Sequence, residues 1–489
     1  MLIKNIIQSK LIILLYILLV LFFLICGLLI NKIVICILPL VILVVALIVI
    51  NDTFGIYLIL IKNLFFGFLI SMFSIPNQIN YIEDVAILTL LIKWLLSKKI
   101  ILPQAFRKLF VYFLMIFFGF TTIMAFNAHF NLVGFISHQR LFIRFFMLII
   151  VFSNLQLKFL NRILKLCYWS LLFQLPLVLY QYIFIVVLKK IDIPPIWVGN
   201  TYLNRTLNDF VGGIFGYNAS DVLGILSVIC FLGTIIYLSL NSKNIGYIKK
   251  IFFSLSCLIF LFMPLLCDAK IALLLIPFGI LIYLLSRENI FKKSLIVLYL
   301  ICIIVIGISI SGLTNISFGD TINNFIASAQ SQFEHNDMIQ RGESLVYTFG
   351  YLSKKDLFLL GDGMGSHFSS RIRFMDYRIG IYNYQASYLL IEIGLIGSIM
   401  ALVLLIWIPI LLYKRTKTPE NNDEILVLKI FYIMSYFSII IFFYTNFFYD
   451  PYLTFFYCLI TAMAIRFKWR MNNKTRGCEY GNISNNPFI

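Results

Sequence analysis

The sequence predicts an all-α fold: a polytopic integral membrane protein with about fourteen transmembrane helices and one large extracytoplasmic loop containing short helices. Three observations predict it. Of 489 residues, 61% are hydrophobic and only 12% charged, with a mean hydropathy of +0.97, far from the composition of a soluble domain. The apolar residues fall in runs of about 17 to 25, the length that crosses a hydrocarbon core of about 30 Å, without the period-two alternation of a membrane barrel. The basic residues gather between those runs in alternating loops, as the positive-inside rule requires of inner-face segments.

Taken in order, the spans expected are 11–30, 33–50, 55–75, 84–97, 110–127, 141–156, 166–188, 213–240, 251–267, 271–286, 294–312, 384–413, 428–447 and 452–465. The first is too long and lacks a small-residue cleavage site, so it reads as a span and not as a signal peptide. Between them the basic clusters are Lys4/Lys10, Lys98/Lys99/Arg107/Lys108, Lys158/Arg162/Lys165, Lys243/Lys249/Lys250, Arg287/Lys292/Lys293, Lys414/Arg415/Lys417 and 466–476. With both termini cytoplasmic, every cluster falls on the inner face. The net charge of +18 is thereby explained by topology, with no nucleic-acid partner needed. The chain divides into helices 1–11 over 1–310, the large loop over 311–383, helices 12–14 over 384–468, and a polar, Asn-rich cytoplasmic tail over 469–489. Nine cysteines include no CxxC pair, and most lie inside spans, so neither a disulfide framework nor a metal site is expected.

Four segments are left on the outer face: 127–139, 189–209, the hairpin 267–270, and 311–383. Chemistry is expected there, because a loop of such length between spans is uncommon unless it is functional. Arg140 and Arg144 break the positive-inside rule. Four residues apart on one helix face, they stand about 6 Å from each other, a spacing that suits two phosphoryl groups. Because a guanidinium within lipid is costly, Arg144 should face protein or a wet cavity; the competing reading has both side chains snorkel to headgroups.

Asp268 and Lys270 occupy the tight hairpin and equally fit a local ion pair that eases insertion. Arg205 precedes a Gly-rich, polar stretch, 212–221, that suits a helix starting beside a polar cavity. In the large loop, Arg341 and Glu343 precede a segment, 344–360, with apolar residues at helical intervals, which predicts a helix lying on the membrane surface. It ends at Gly361-Asp362-Gly363-Met364-Gly365. No Rossmann strand precedes this run and no P-loop lysine follows, which excludes nucleotide binding. His367 has a side chain able to act as a base near neutral pH, while a lone loop histidine is ordinarily solvated; His129 and His138 read the same way.

The loop and the span after it resemble the O-antigen ligase/polymerase superfamily of bacterial envelope glycan assembly. The residues that carry the resemblance are Arg341 early in the loop, Gly361-Asp-Gly363 about twenty residues on, and Glu392-Ile-Gly394-Leu-Ile-Gly397 in the next span. Upstream, Asp268-Ala-Lys270-Ile-Ala-Leu-Leu-Leu is similar to a Ser-Arg hairpin of that family, with Lys where Arg is usual. The likeness covers mainly residues 200–410. In lipopolysaccharide ligases a His lies about nine residues before the Glu; Asn383 and Tyr384 stand there in this chain, which favours a polymerase.

What the resemblance implies is a cofactor-free, metal-independent membrane glycosyltransferase of the bacterial inner membrane. It would polymerise undecaprenyl-pyrophosphate-linked oligosaccharide repeats, with a chain-length regulator and a flippase as further partners. Lipid pyrophosphate is already a good leaving group, so charge neutralisation and positioning carry the catalysis. Arg341 and Arg144, with Glu343 or His367 as base, are the expected catalytic residues, and Asp362 is a further candidate base. Arg140, Arg205, Lys270, Asp268, Gly361, Gly363, Asn383 and Tyr384 are expected to line the pyrophosphate and glycan site. The alternatives are a ligase that passes glycan to a lipid or protein acceptor, and a flippase or other transporter of the same lipid-linked glycan.

Overall fold

A computed structural model describes residues 33–73, 81–97, 104–125, 132–189, 197–198, 201–202, 210–216, 219–267, 269–285, 348–350, 352–353, 357–364, 385–413, 422–445, 447–448 and 450–474. These are helical almost throughout. Among them seven helices are long and apolar enough to cross a membrane: Asp52–Ile70, Gly134–Ser153, Leu157–Val187, Ser220–Asn241, Tyr247–Leu266, Ala386–Leu412 and Asn422–Phe443. The expected spans 11–30 and 294–312 lie outside the described residues. One departure from an all-α fold is a small antiparallel pair, β1 (Trp197–Val198) and β2 (Thr201–Tyr202), with Trp197 opposite Tyr202. Gly199-Asn200 between them is a two-residue hairpin signal in the sequence.

The chain forms two compact units, 1–100 and 101–489. In the first, α1 (Ile33–Ile50), α2 (Asp52–Phe73) and α3 (Tyr81–Leu96) pack on one another. Inside it Lys62 on α2 meets Glu83 on α3 at 2.7 Å, and Asn63 Nδ2 donates to the other Glu83 oxygen at 2.7 Å and to Ile59 O at 2.8 Å. All three are buried. At the end where α1 stops and α2 starts, Trp94 Nε1 donates to Asp52 at 2.7 Å, and Lys93 donates to Ile48 O at 3.1 Å, placing a cation on the carbonyl end of α1.

The second unit contains α4 (Gln104–Ala125), α5 (Leu132–Ser153), α6 (Leu157–Phe173), α7 (Leu175–Gln181) with its π-helical continuation Tyr182–Val187, and α8 (Ser220–Asn241). There follow α9 (Tyr247–Leu266), α10 (Lys270–Leu285), α11 (Gln385–Tyr413), α12 (Asn422–Tyr444) and α13 (Pro451–Lys474). An aromatic seam sets α5 between α4 and the α12–α13 end: Phe142 lies 4.8 Å from Phe117 and 4.9 Å from Phe448, and Phe145 stacks on Tyr457 at 5.9 Å. Such pairs add specificity to the area they bury. Where α8 meets α10, a Cβ on Gly224 would fall 2.2 Å from Ala269 Cβ, so small residues allow the two backbones their close approach.

Helix ends sort by charge. Arg466 Nε donates to Leu155 O at 3.0 Å beyond the end of α5, and Lys468 Nζ to Leu411 O at 2.6 Å near the end of α11. Asn422 at the start of α12 donates to Leu240 O at the end of α8 at 3.2 Å. The chain segments that meet here carry the basic clusters around Lys158, Lys243, Lys414 and Arg466. Cations at carbonyl ends of helices complement the dipole. The opposite end of this unit holds the starts of α5, α11 and α13, where Phe215 lies 4.9 Å from Tyr452.

Candidate functional site

Near that opposite end, three segments far apart in sequence meet around α11. This helix is broken at Gly394 (φ 64°, ψ −171°), a conformation that only glycine adopts readily. A break strands backbone groups on both sides, and in an apolar setting each must find a partner. The Gly361-Asp362-Gly363 turn and the residues just before it supply them. Asp362 N donates to Ile391 O at 2.6 Å and Gly363 N to Glu392 O at 3.0 Å; in return Leu395 N donates to Phe358 O at 3.0 Å and Ile396 N to Leu359 O at 3.2 Å. The approach is close enough that a Cβ on Gly361 would lie 2.4 Å from Gly394 N. The two glycine motifs that carry the sequence resemblance are thus hydrogen-bonded to each other.

Above the break, on the first half of α11, stand Tyr388 and Glu392, one turn apart. Glu392 is completely buried, and His138 from α5 meets its Oε2 through Nδ1 at 2.8 Å. The Tyr388 hydroxyl lies 2.6 Å from His138 Nε2 and 3.0 Å from Nδ1. With Glu392 ionised, Nδ1–H donates to the carboxylate, and Nε2 is left to accept from the phenol. Gln139, the next residue, donates through Nε2 to Thr121 on α4. The result is a carboxylate and a hydroxyl gathered on one imidazole, enclosed by protein.

Of the residues expected from sequence, Arg140 and Arg144 lie on α5 below His138. Because α5 begins at Leu132 and not at 141, Arg144 is its thirteenth residue, deeper than one turn. It is 4% exposed, enclosed by protein as a guanidinium at that depth must be, whereas Arg140 is half-buried. Gly361 and Gly363 sit in the turn, with the amides of 361, 362 and 363 all directed to protein carbonyls, that of Gly361 to Leu357 O at 2.7 Å. Asp362 is fully buried. Lys270 is the first residue of α10, directly after the buried Ala269. Arg205, Asp268, Arg341, Glu343, His367, Asn383 and Tyr384 lie outside the described residues, as does His129. The expected surface helix over 344–360 is described at 348–350 and 352–353, both helical, and at 357–360, where the chain is turn and not helix because it already runs into the Gly361 turn.

The sequence reading missed His138, Tyr388 and the side chain of Glu392. A solvated loop histidine is the wrong description of His138, which is 5% exposed inside α5. One signal could have found it. His138 is in helical register with Phe142, Phe145 and Ile149, all of them fully buried, so it continues the protein-facing stripe of its helix.

Upstream of α8, the residues of 210–216 are all buried although irregular. Gln181 brackets Gly213, its Oε1 accepting from Gly213 N at 2.8 Å and its Nε2 donating to Gly213 O at 3.3 Å, while Gln174 Oε1 accepts from Ile214 N at 3.1 Å. Among the described residues no three of His, Cys, Asp and Glu gather as a metal site. No protein-family model matches the chain, and no curated protein matches it at a significant level.

Proposed function

We propose that the chain is a membrane glycosyltransferase that polymerises undecaprenyl-pyrophosphate-linked oligosaccharide repeats into surface polysaccharide, whether O-antigen, capsule or exopolysaccharide. It acts on the outer face of a bacterial cytoplasmic membrane, with fourteen spans and both termini inside. The observation that carries the reading is the hydrogen-bonded junction of the Gly361-Asp-Gly363 turn with the broken segment Glu392 to Gly397. That junction lies at the end of the helices away from the basic clusters, the end the positive-inside rule assigns to the outside. Buried Arg144 supports a route for an anionic substrate into the same unit, since a guanidinium makes two directed bonds to phosphate oxygens.

In this reading an acceptor sugar hydroxyl attacks the donor's anomeric carbon and lipid pyrophosphate departs. Arg144 and Arg341 hold the pyrophosphate from the span and from the loop, with Arg140, Arg205 and Lys270 adding positive charge. One feature favours a second reading, transport of the same lipid-linked glycan, because broken helices also build transporter sites. The two separate by product. The full chain in vesicles, given undecaprenyl-pyrophosphate-linked repeats, should yield a ladder of longer glycans on a gel. Arg341→Ala at normal abundance should lose about ten- to a hundredfold in rate, the value of one or two charge-assisted bonds. Movement of the lipid-linked glycan across the vesicle membrane without elongation would replace polymerase by transporter.

A further inference from the structure

Resting on the glycosyl-transfer reading, one question is which group takes the proton of the attacking hydroxyl. Pyrophosphate leaves without needing a proton, whereas an alcohol must lose one as its oxygen bonds to the anomeric carbon. The group required is a base of near-neutral strength, held in one orientation by a third group and within hydrogen-bond reach of its donor. Neither Arg144 nor Arg140 can serve, because a guanidinium has no acceptor.

We propose that Tyr388, His138 and Glu392 form the proton-accepting relay of the transfer. The order in space fits. Glu392 is innermost and fully buried and meets His138 Nδ1 at 2.8 Å, while the Tyr388 hydroxyl, 2.6 Å from Nε2 and 3.0 Å from Nδ1 of the same ring, comes from one helical turn nearer the start of α11, where the large loop ends. As the acceptor oxygen forms its bond to the anomeric carbon, the bond from that carbon to the phosphate oxygen breaks and its electron pair leaves with the pyrophosphate. The hydroxyl proton passes to the Tyr388 oxygen while the phenol's own proton passes to His138 Nε2. The imidazolium that results is stabilised by the Glu392 carboxylate on Nδ1, and the relay resets when this proton returns to water by way of Tyr388. Tyr388 is the catalytic contact with substrate, and Glu392 is a positioning residue acting through His138. The brace at Gly394 fits this role, since it fixes the half-helix that carries both Tyr388 and Glu392.

The test is the rate of glycan elongation by the full chain in vesicles, using undecaprenyl-pyrophosphate-linked repeats extracted from the membranes of the source cell. Tyr388→Phe keeps the ring that lies 5.2 Å from His138 and removes only the hydroxyl, so it separates chemistry from folding. Tyr388→Phe and His138→Gln should each lower kcat about a hundred- to ten-thousandfold, with KM for the donor changed by less than about threefold. Glu392→Gln should lower kcat in the same way, again with KM for the donor changed by less than about threefold, the split expected of a residue that acts through His138. If the wild type elongates glycan while Tyr388→Phe and His138→Gln keep its kcat, the relay is wrong and the polymerase stands. If the folded wild type elongates nothing, the polymerase reading falls and the relay with it.

Discussion

Two buried polar assemblies differ in how they are built. The one in the first unit, Lys62 with Glu83 and Asn63, joins two regular, neighbouring helices, and each charge finds its opposite within them. The one in the second unit draws on α5, on the 361–363 turn and on a helix broken at Gly394, segments separated by up to 254 residues. Both bury a carboxylate completely. Only the second maintains a break within a helix, which persists because the 361–363 turn and the residues before it partner the backbone groups the break would strand. Burial of charge alone therefore does not distinguish a function from a self-neutralised pair that makes two helices insertable. A helix break held open by a segment from elsewhere in the chain does.

The largest expected effect breaks the first assembly. Lys62→Met should destabilise the protein by about 3–5 kcal/mol by leaving a buried carboxylate without its cation, and Lys62→Met with Glu83→Leu should restore stability to within about 1 kcal/mol. Asn63 keeps its bond to Ile59 O in the double variant. Thermal unfolding in detergent measures both. A double variant no more stable than the single one would show that the pair is tied to something beyond itself.

Next, Gly394→Ala should cost about 2–4 kcal/mol and most of the activity, because its Cβ would meet Leu359 O at 2.4 Å and its φ would be strained. Activity lost at unchanged stability would mean that the turn moves aside and that the brace serves geometry alone. Smaller again is Gln181→Leu, expected to cost about 1–3 kcal/mol by orphaning the amide of Gly213. An effect on glycan length from this variant, beyond its effect on stability, would make the buried 210–216 segment part of the site.

Much of the fold was legible. The run 33–50 coincides with α1 at both ends, since uninterrupted apolar length is what a bilayer selects. The misses have physical causes. α5 starts nine residues before the expected boundary because His138, Gln139 and Arg140 read as a polar outer loop, and hydropathy cannot tell water from an enclosing protein. α8 starts at Ser220 and not at 213 because Gly213 and Gly216 take positive φ and their segment folds back among buried side chains, held by two glutamines. At the site, the glycine turn and the Glu392 to Gly397 segment could be read from spacing. That they touch, and that α5 delivers a histidine to Glu392 from 254 residues away, is tertiary information.

The comparison rests finally on elongation rate per folded molecule, measured side by side for Glu392→Gln and for the Lys62→Met/Glu83→Leu double variant in the same vesicles. The account predicts a loss of about a hundredfold or more for Glu392→Gln and a wild-type rate for the double variant. A double variant as inactive as Glu392→Gln, or a Glu392→Gln protein as fast as the wild type, would contradict it.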